Sequence, residues 1–296
     1  VNKLAKSAPI IFTLLWSTGF VGAKYILPYA EPFVFLTIRY ASAAFILLLI
    51  AKAINEPLRI SRKQVTQSIR VGLFLQVIYI GGVFYAISLG VPAGVTAVIV
   101  SLQPILVSVI AFRLLGEGLG IKKIFGLILG LVGVLFLLLP KIFQGEWRLE
   151  FSQIGLLAGA LALLGTTTGY LLQKKGGGDI PFLPGTAIQF LTATFIFAVA
   201  GLLFEDWKIE LNIKFWLALA WIVLALSIGS IFLLFYLLKN DSASSVSSLY
   251  YLVPPLTAIQ AFLLFGERIT QLGILGMVLA GIGTYLATRN SANAGH

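Results

Sequence analysis

The sequence predicts an all-α integral membrane protein of ten transmembrane helices, arranged as two inverted five-helix repeats. Three observations carry that expectation. First, 59% of the 296 residues are hydrophobic and only 11% are charged, against about 45–50% and about 25% in a soluble domain. Second, uncharged runs recur at the length needed to cross a bilayer, roughly 20 residues for a helix through about 30 Å of hydrocarbon. Third, the C-terminal half repeats the N-terminal half at one fixed offset.

The elements follow in order along the chain. Lys3 and Lys6 precede an uncharged run that lasts to Lys24, giving a first span at 8–29. This start is basic and then apolar, like a leader peptide. It continues into a full span, and no small-residue cleavage site followed by a polar mature chain is visible, so it reads as a helix. The second span, 33–51, is uncharged except for Arg39. The uncharged run 71–112 is too long for one helix. Gly90, Pro92 and Gly94 divide it into spans at 69–89 and 94–115. A fifth span is expected at 121–140. The second half supplies 152–173, 182–204, 214–238, 243–265 and 269–288. Trp147, Trp207 and Trp216 fall near span ends and read as interfacial anchors.

Lysine and arginine set the orientation. With the N-terminus cytoplasmic, the inner ends carry Lys3, Lys6, Lys52, Arg59, Arg62, Lys63, Arg70, Arg113, Lys122, Lys123, Lys174, Lys175, Lys239 and Arg289. The outer ends carry only Lys141, Arg148, Lys208, Lys214 and Arg268. Both termini are then cytoplasmic. The net charge of +10 becomes a rim facing the inner membrane surface and not a nucleic-acid site.

The repeat is read at an offset of 150. The 32 residues from Leu102 and the 32 from Leu252 share twelve identities, among them Pro104/Pro254, Gly116/Gly266, Glu117/Glu267, Gly126/Gly276 and Gly133/Gly283. Each half holds five helices, an odd number, so the second half enters the membrane from the opposite side. The repeats are expected at 8–140 and 152–289. Inverted repeats let one chain adopt two packings related by approximate symmetry, the architecture of alternating-access transport.

The stretches LLWSTGFVGAKYI (14–26) and FVFLTIRYASA (33–43), with the two proline-to-GE blocks, resemble the drug/metabolite transporter superfamily. The likeness is to the branch built from two EamA domains, and it covers the chain from Pro9 to about Arg289. It implies ten helices, cytoplasmic termini and transport of small metabolites. Within that branch the chain is most similar to bacterial exporters of aromatic amino acids.

Candidate site residues are the polar and aromatic side chains inside the spans. Lys24 and Arg39 are the two intramembrane cations. Either they snorkel to the outer interface and join Glu31 in an ion cluster, or they attract a substrate carboxylate. Trp16 and Phe20 lie one turn apart, as do Gln76 and Tyr79. With Gln103, Tyr170, Gln189, Tyr250, Tyr251 and Gln260 they are either packing groups or lining of a substrate path, because buried amides and hydroxyls need partners. Pro104, Pro254 and Pro255 each free a carbonyl one turn back, giving a kink or a local opening. Glu117 and Glu267 are expected to cap the start of the helix that follows each. The glycine faces 126/130/133 and 276/280/283 are expected to pack within a half, between halves or between protomers.

Several chemistries are excluded. Cysteine is absent and the single histidine, His296, ends the chain, so thiol, histidine and zinc chemistry have no residues to use. No GxxxxGK[ST] phosphate loop is present. Gly176, Gly177 and Gly178 read as a turn. No cofactor, metal or nucleic-acid partner is expected. The expected partners are a small-molecule substrate and membrane lipid, with the chain a monomer or weak homo-oligomer. Transport is then secondary, by facilitated diffusion or proton-coupled exchange, and the lack of a mid-membrane acid favours movement down a gradient. The expected function is export of amino acids, including aromatic or other apolar ones, across a bacterial inner membrane by alternating access. The alternatives are another small metabolite, nucleotide sugar or drug on the same fold, or a membrane enzyme, lipid flippase or scaffold.

Overall fold

The computed structural model describes residues 3–143, 152–265 and 269–289. They form ten helical spans: α1 (Lys3–Ile26), α2 (Pro32–Ala53), α3 (Arg62–Ser88), α4 (Ala93–Val100 and Gln103–Leu115), α5 (Ile121–Phe143), α6 (Gln153–Gly176), α7 (Phe182–Phe204), α8 (Ile213–Asn240), α9 (Ala243–Ser248, Leu249–Leu252, Val253–Phe265) and α10 (Gln271–Arg289). Outward faces carry exposed Phe45, Phe125, Phe195, Leu217 and Leu263. A water-facing protein would not cover its surface with such side chains, but hydrocarbon accepts them. Trp207 and Trp216 are exposed at the α7–α8 end. Trp147, Gly266, Glu267 and Arg268 lie outside the described residues.

The apolar runs marked the hydrocarbon crossings, and the helices continue past several of them into the polar layer. α3 begins at Arg62, where Ser61 and Gln64 form a reciprocal capping box. Hydropathy alone starts the same span at 69, because the first two turns are polar. Gly90 takes a left-handed φ of +85° between α3 and α4, and Gly116 does so at +67° after α4. Both are conformations that a side chain resists.

The elements of the two halves recur in sequence register. Helices begin at Pro32 and Phe182, at Ala93 and Ala243, and at Ile121 and Gln271, each pair 150 residues apart. Contacts follow the same exchange. α1 lies against the middle of α8, and α6 lies against the middle of α3, while α2 meets α7 and α5 meets α10. The middles of α3 and α8 are π-helical, over Gly72–Gly81 and Ile222–Ser230. These start 150 residues apart as well. A π turn leaves a wider hydrogen-bond spacing and often accompanies a functional site. Sequence periodicity gave no sign of it.

The glycine faces resolve in favour of packing between halves. A Cβ at Gly133 would stand 2.3 Å from Ala280 N, and one at Gly283 would stand 2.3 Å from Gly130 N. α5 and α10 therefore meet backbone to backbone, the contact that small residues permit in membranes.

Both ends are tied across the halves by carboxylates. At the end bearing the α4–α5 and α8–α9 loops, Glu117 accepts hydrogen bonds from Ala243 N (2.6 Å), Ser244 N (3.1 Å) and Ser244 Oγ (2.5 Å). It caps α9 and not α5, which corrects the expectation of a cap on the next helix. The amide ends that attract a carboxylate belong to the helix nearest in space, and that helix comes from the other repeat. Lys123 Nζ donates to the same Ser244 hydroxyl, and Lys174 donates to the carbonyls of Leu238 and Asp241. At the opposite end Glu205 accepts from Phe33 N (2.9 Å) and Val34 N (2.8 Å). Glu31 there accepts from Asp206 N and Lys208 N. Burial pushes the Glu205 carboxyl up, the α2 amides oppose that shift, and Glu31 adds to it.

Candidate functional site

A cavity inside the bundle is walled by α1, α2, α3 and α8. Its lining includes Trp16, Phe20, Arg39, Gln76, Tyr79 and Ser230. The empty space is ≈ 470 Å³ with its open mouth included.

Arg39 is buried, at 5% exposure. Its Nε donates to Ser227 Oγ at 2.8 Å, and its guanidinium carbon stands 5.0 Å from the Tyr40 ring centroid. Ser227 in turn donates to Ile222 O at 3.1 Å, spanning five residues of the π segment of α8. Ser230 donates to Leu226 O at 2.5 Å. The π geometry thus turns α8 so that two hydroxyls face the arginine side of the bundle. On α3, the π segment carries Gln76 and Tyr79. Tyr40 OH donates to Gln76 Oε1 at 3.0 Å, while Gln76 Nε2 is buried with no partner. No carboxylate is among the lining residues.

The aromatic wall is built on Trp16. Its Nε1 donates to Tyr79 OH at 3.3 Å, and the two rings stack at 6.4 Å. Phe12 and Tyr250 approach Trp16 at 5.2 and 5.6 Å. Tyr170 meets Tyr250 edge-on at 6.2 Å. A ring ladder therefore runs from the cavity across α1 to α9 and α6, joining the two repeats. The hydroxyls of Tyr170 and Tyr250 are buried without a partner.

The structure sorts the sequence candidates. Trp16, Phe20, Arg39, Gln76 and Tyr79 meet at the cavity, and Tyr250 and Tyr170 extend from it. Lys24 is exposed, one turn beyond Phe20, and does not line the cavity. The two cations that seemed equivalent by position are separated by the direction in which their helix faces point. Arg39 does not snorkel to an interface, and Glu31 is occupied by the backbone of the α7–α8 loop. Tyr251 belongs to the α5–α10 seam, where a Cβ at Gly130 would stand 2.5 Å from its ring. Gln260 donates to Ser17 Oγ at 2.7 Å and ties α9 to α1. Gln103 and Gln189 are buried away from the cavity lining, on α4 and α7, with unpartnered amide atoms.

The prolines lie at breaks. α4 is interrupted at Ser101–Leu102, and Pro104 sits in the first turn of the second piece. Its missing N–H costs nothing there. In α9 a tight 3-10 turn, Leu249–Leu252, precedes Pro254 and Pro255. Sequence reasoning missed Tyr40, Ser227 and Ser230. A usable signal existed: Ser227 and Ser230 are one turn apart in an otherwise apolar span, and both fall inside the interval that the repeat aligns with Gln76 and Tyr79.

Inverted five-helix halves, broken helices and a polar cavity in the bundle interior define a multi-pass membrane transporter. The EamA-like transporter family matches residues 7–139 and 153–289, and the chain belongs to that family. It is 27% identical over 288 residues to the uncharacterized transporter YoaV of Bacillus subtilis, covering 94% of each chain. It is 26% identical over 274 residues to YvbV of the same organism, covering 90% of this chain and 85% of that protein. A protein of Escherichia coli described as a "Probable amino-acid metabolite efflux pump" is 23% identical over 286 residues, covering 94% of this chain and 92% of that one. A crystal structure at 19% identity shares the fold over 100% of both chains, with a TM-score of 0.79. The family is one of transporters, not enzymes.

Proposed function

We propose that this secondary transporter exports small amphipathic carboxylates, among them amino acids with aromatic or other apolar side chains. The observation that carries this reading is Arg39, a buried cation beside a cavity whose lining has no carboxylate and whose wall is aromatic. A carboxylate would take the guanidinium through charge-assisted hydrogen bonds, and an apolar side chain would lie on Trp16, Phe20 and Tyr79. Gln76 Nε2 adds a donor. Tyr170 and Tyr250 continue the path, Gln260 braces it through Ser17, and Gln103 and Gln189 sit behind its wall. Lys24 acts at the outer mouth. The two units, residues 8–140 and 152–289, exchange packings about the cavity, with the breaks at Pro104, Pro254 and Pro255 as hinges. The membrane is a bacterial inner membrane with both termini cytoplasmic, as the lysine and arginine bias supports, and the chain works as a monomer or weak homo-oligomer.

Counterflow in proteoliposomes tests this. Apolar and aromatic amino acids on the far side should drive uptake of a labelled one. Arg39→Gln should abolish that exchange and leave the weaker interaction of an amidated analogue unchanged. Equal loss of both substrates at equal folded protein would remove Arg39 from the site.

A further inference from the structure

The charge balance of the cavity reaches further than the presence of a carboxylate partner. Arg39 brings one positive charge, and among the described residues its hydrogen bond is from Nε to Ser227. Gln76 Nε2 is a buried donor without an acceptor. The lining groups that could accept a hydrogen bond are all neutral and mostly engaged. Gln76 Oε1 takes the Tyr40 hydroxyl, Tyr79 OH takes Trp16 Nε1, and Ser230 is a neutral hydroxyl that donates to Leu226 O; Ser227, beside the cavity, takes Arg39 Nε. The lining includes neither aspartate nor glutamate. Among the described residues, the site is therefore rich in donors and holds a cation with no carboxylate in its lining.

Two ligand types fit this arrangement very differently. A monoanion neutralises Arg39 and satisfies the free donors. A zwitterion does the same with its carboxylate, but it also places an ammonium within a few ångströms of the guanidinium. Like charges at that separation repel strongly once water is displaced, and no carboxylate in the lining offsets it. An ammonium would have only ring faces and half-used neutral oxygens.

We infer that the preferred substrates are net anionic: aromatic or branched aliphatic carboxylates that lack a protonated amine, such as deaminated or N-acylated relatives of apolar amino acids. The inference rests on the reading that Arg39 receives the substrate carboxylate. Amino acids then pass as weaker substrates of the same site.

Wild-type protein in proteoliposomes and in detergent provides the test at neutral pH. The probes share one phenyl ring: phenylpropanoate, phenylalanine and phenylalaninamide. Each is titrated for thermal stabilisation of the protein and for competition in counterflow. Phenylpropanoate should bind about tenfold or more tightly than phenylalanine, a ratio of the size that one uncompensated charge contact produces, and phenylalaninamide should bind weakest. Arg39→Lys, which keeps the charge, should keep that order at lower affinity. Phenylalanine binding as well as or better than phenylpropanoate overturns the anion preference and leaves the carboxylate reading intact. Phenylalaninamide binding as well as phenylalanine overturns the carboxylate reading itself, and the anion preference with it.

Discussion

The seam between α5 and α10 makes a quantitative claim. Gly133→Ala places a Cβ 2.3 Å from Ala280 N and 2.6 Å from Gly276 O, where ordinary contact begins near 3.4 Å. The neighbouring atoms are backbone, so no rotamer change relieves the clash and the helices must part by roughly 1 Å. Overpacking of this kind costs about 1–3 kcal/mol. Gly283→Ala meets Gly130 N at 2.3 Å from the other side and demands the same separation. The two costs should therefore overlap, and the double variant should lose less than the sum of the singles. Gly281→Ala is the internal control. It lies in α10 with nothing within 4 Å of its Cβ position, and alanine gains about 0.5–1 kcal/mol over glycine in a helix interior. Thermal unfolding of purified protein in detergent should rank Gly281→Ala at or above wild type and both seam variants below it. A seam variant as stable as Gly281→Ala, or strictly additive losses, would refute a rigid backbone contact between the halves.

Other outcomes follow from named contacts. Pro104→Ala or Pro254→Ala should reduce transport while membrane abundance stays near wild type, because an unbroken helix hinders switching more than insertion; equal loss of both would place the prolines in the folding core. Glu117→Ala removes the cap on α9 and should cost about 0.5–2 kcal/mol, with faster thiol labelling of a Ser245→Cys probe at that end; unchanged labelling would mean that the carboxylate does not hold the end closed. The raised folded-state pKa of Glu205 means that the native state holds this proton more tightly than the unfolded chain. Stability from this group should be greatest at or below its unfolded pKa and fall as pH rises toward the folded value. Glu205→Gln should flatten that limb of the stability profile, and an unaltered limb would assign it elsewhere. Thiol probes at Gly177→Cys and Lys208→Cys should label from opposite sides of the membrane, and labelling from one side would break the inverted topology.

Much of the fold was legible because its causes are local or periodic. Bilayer thickness sets the length of each apolar run, Gly90 and Pro92 stop a run that is too long, and duplication shows as a proline, a GE pair and glycines at one offset. The parts that were not legible depend on tertiary partners. Glu117 needs a free helix N-terminus, and only the assembled bundle shows that the nearest belongs to α9. The π segments are set by how α3 and α8 pack against α6 and α1, which periodicity does not reveal. Lys24 and Arg39 looked alike by depth, yet one face of α1 is exposed where the Arg39 face of α2 meets Ser227. Tyr250 and Tyr251 are adjacent in sequence, and the 3-10 turn sends one to Trp16 and the other to Gly130.

Alternating access about the Trp16–Arg39 cavity is the central claim, and the cysteine-free chain permits a direct measurement. Ser230 lines the cavity, so Ser230→Cys can be labelled with a membrane-impermeant thiol reagent in right-side-out and inside-out vesicles. Labelling should occur from both sides, slow when a carboxylate substrate is present, and fall on one side when a crosslink holds the opposite end open. Labelling from one side only, under every substrate condition, would contradict a site that faces each compartment in turn.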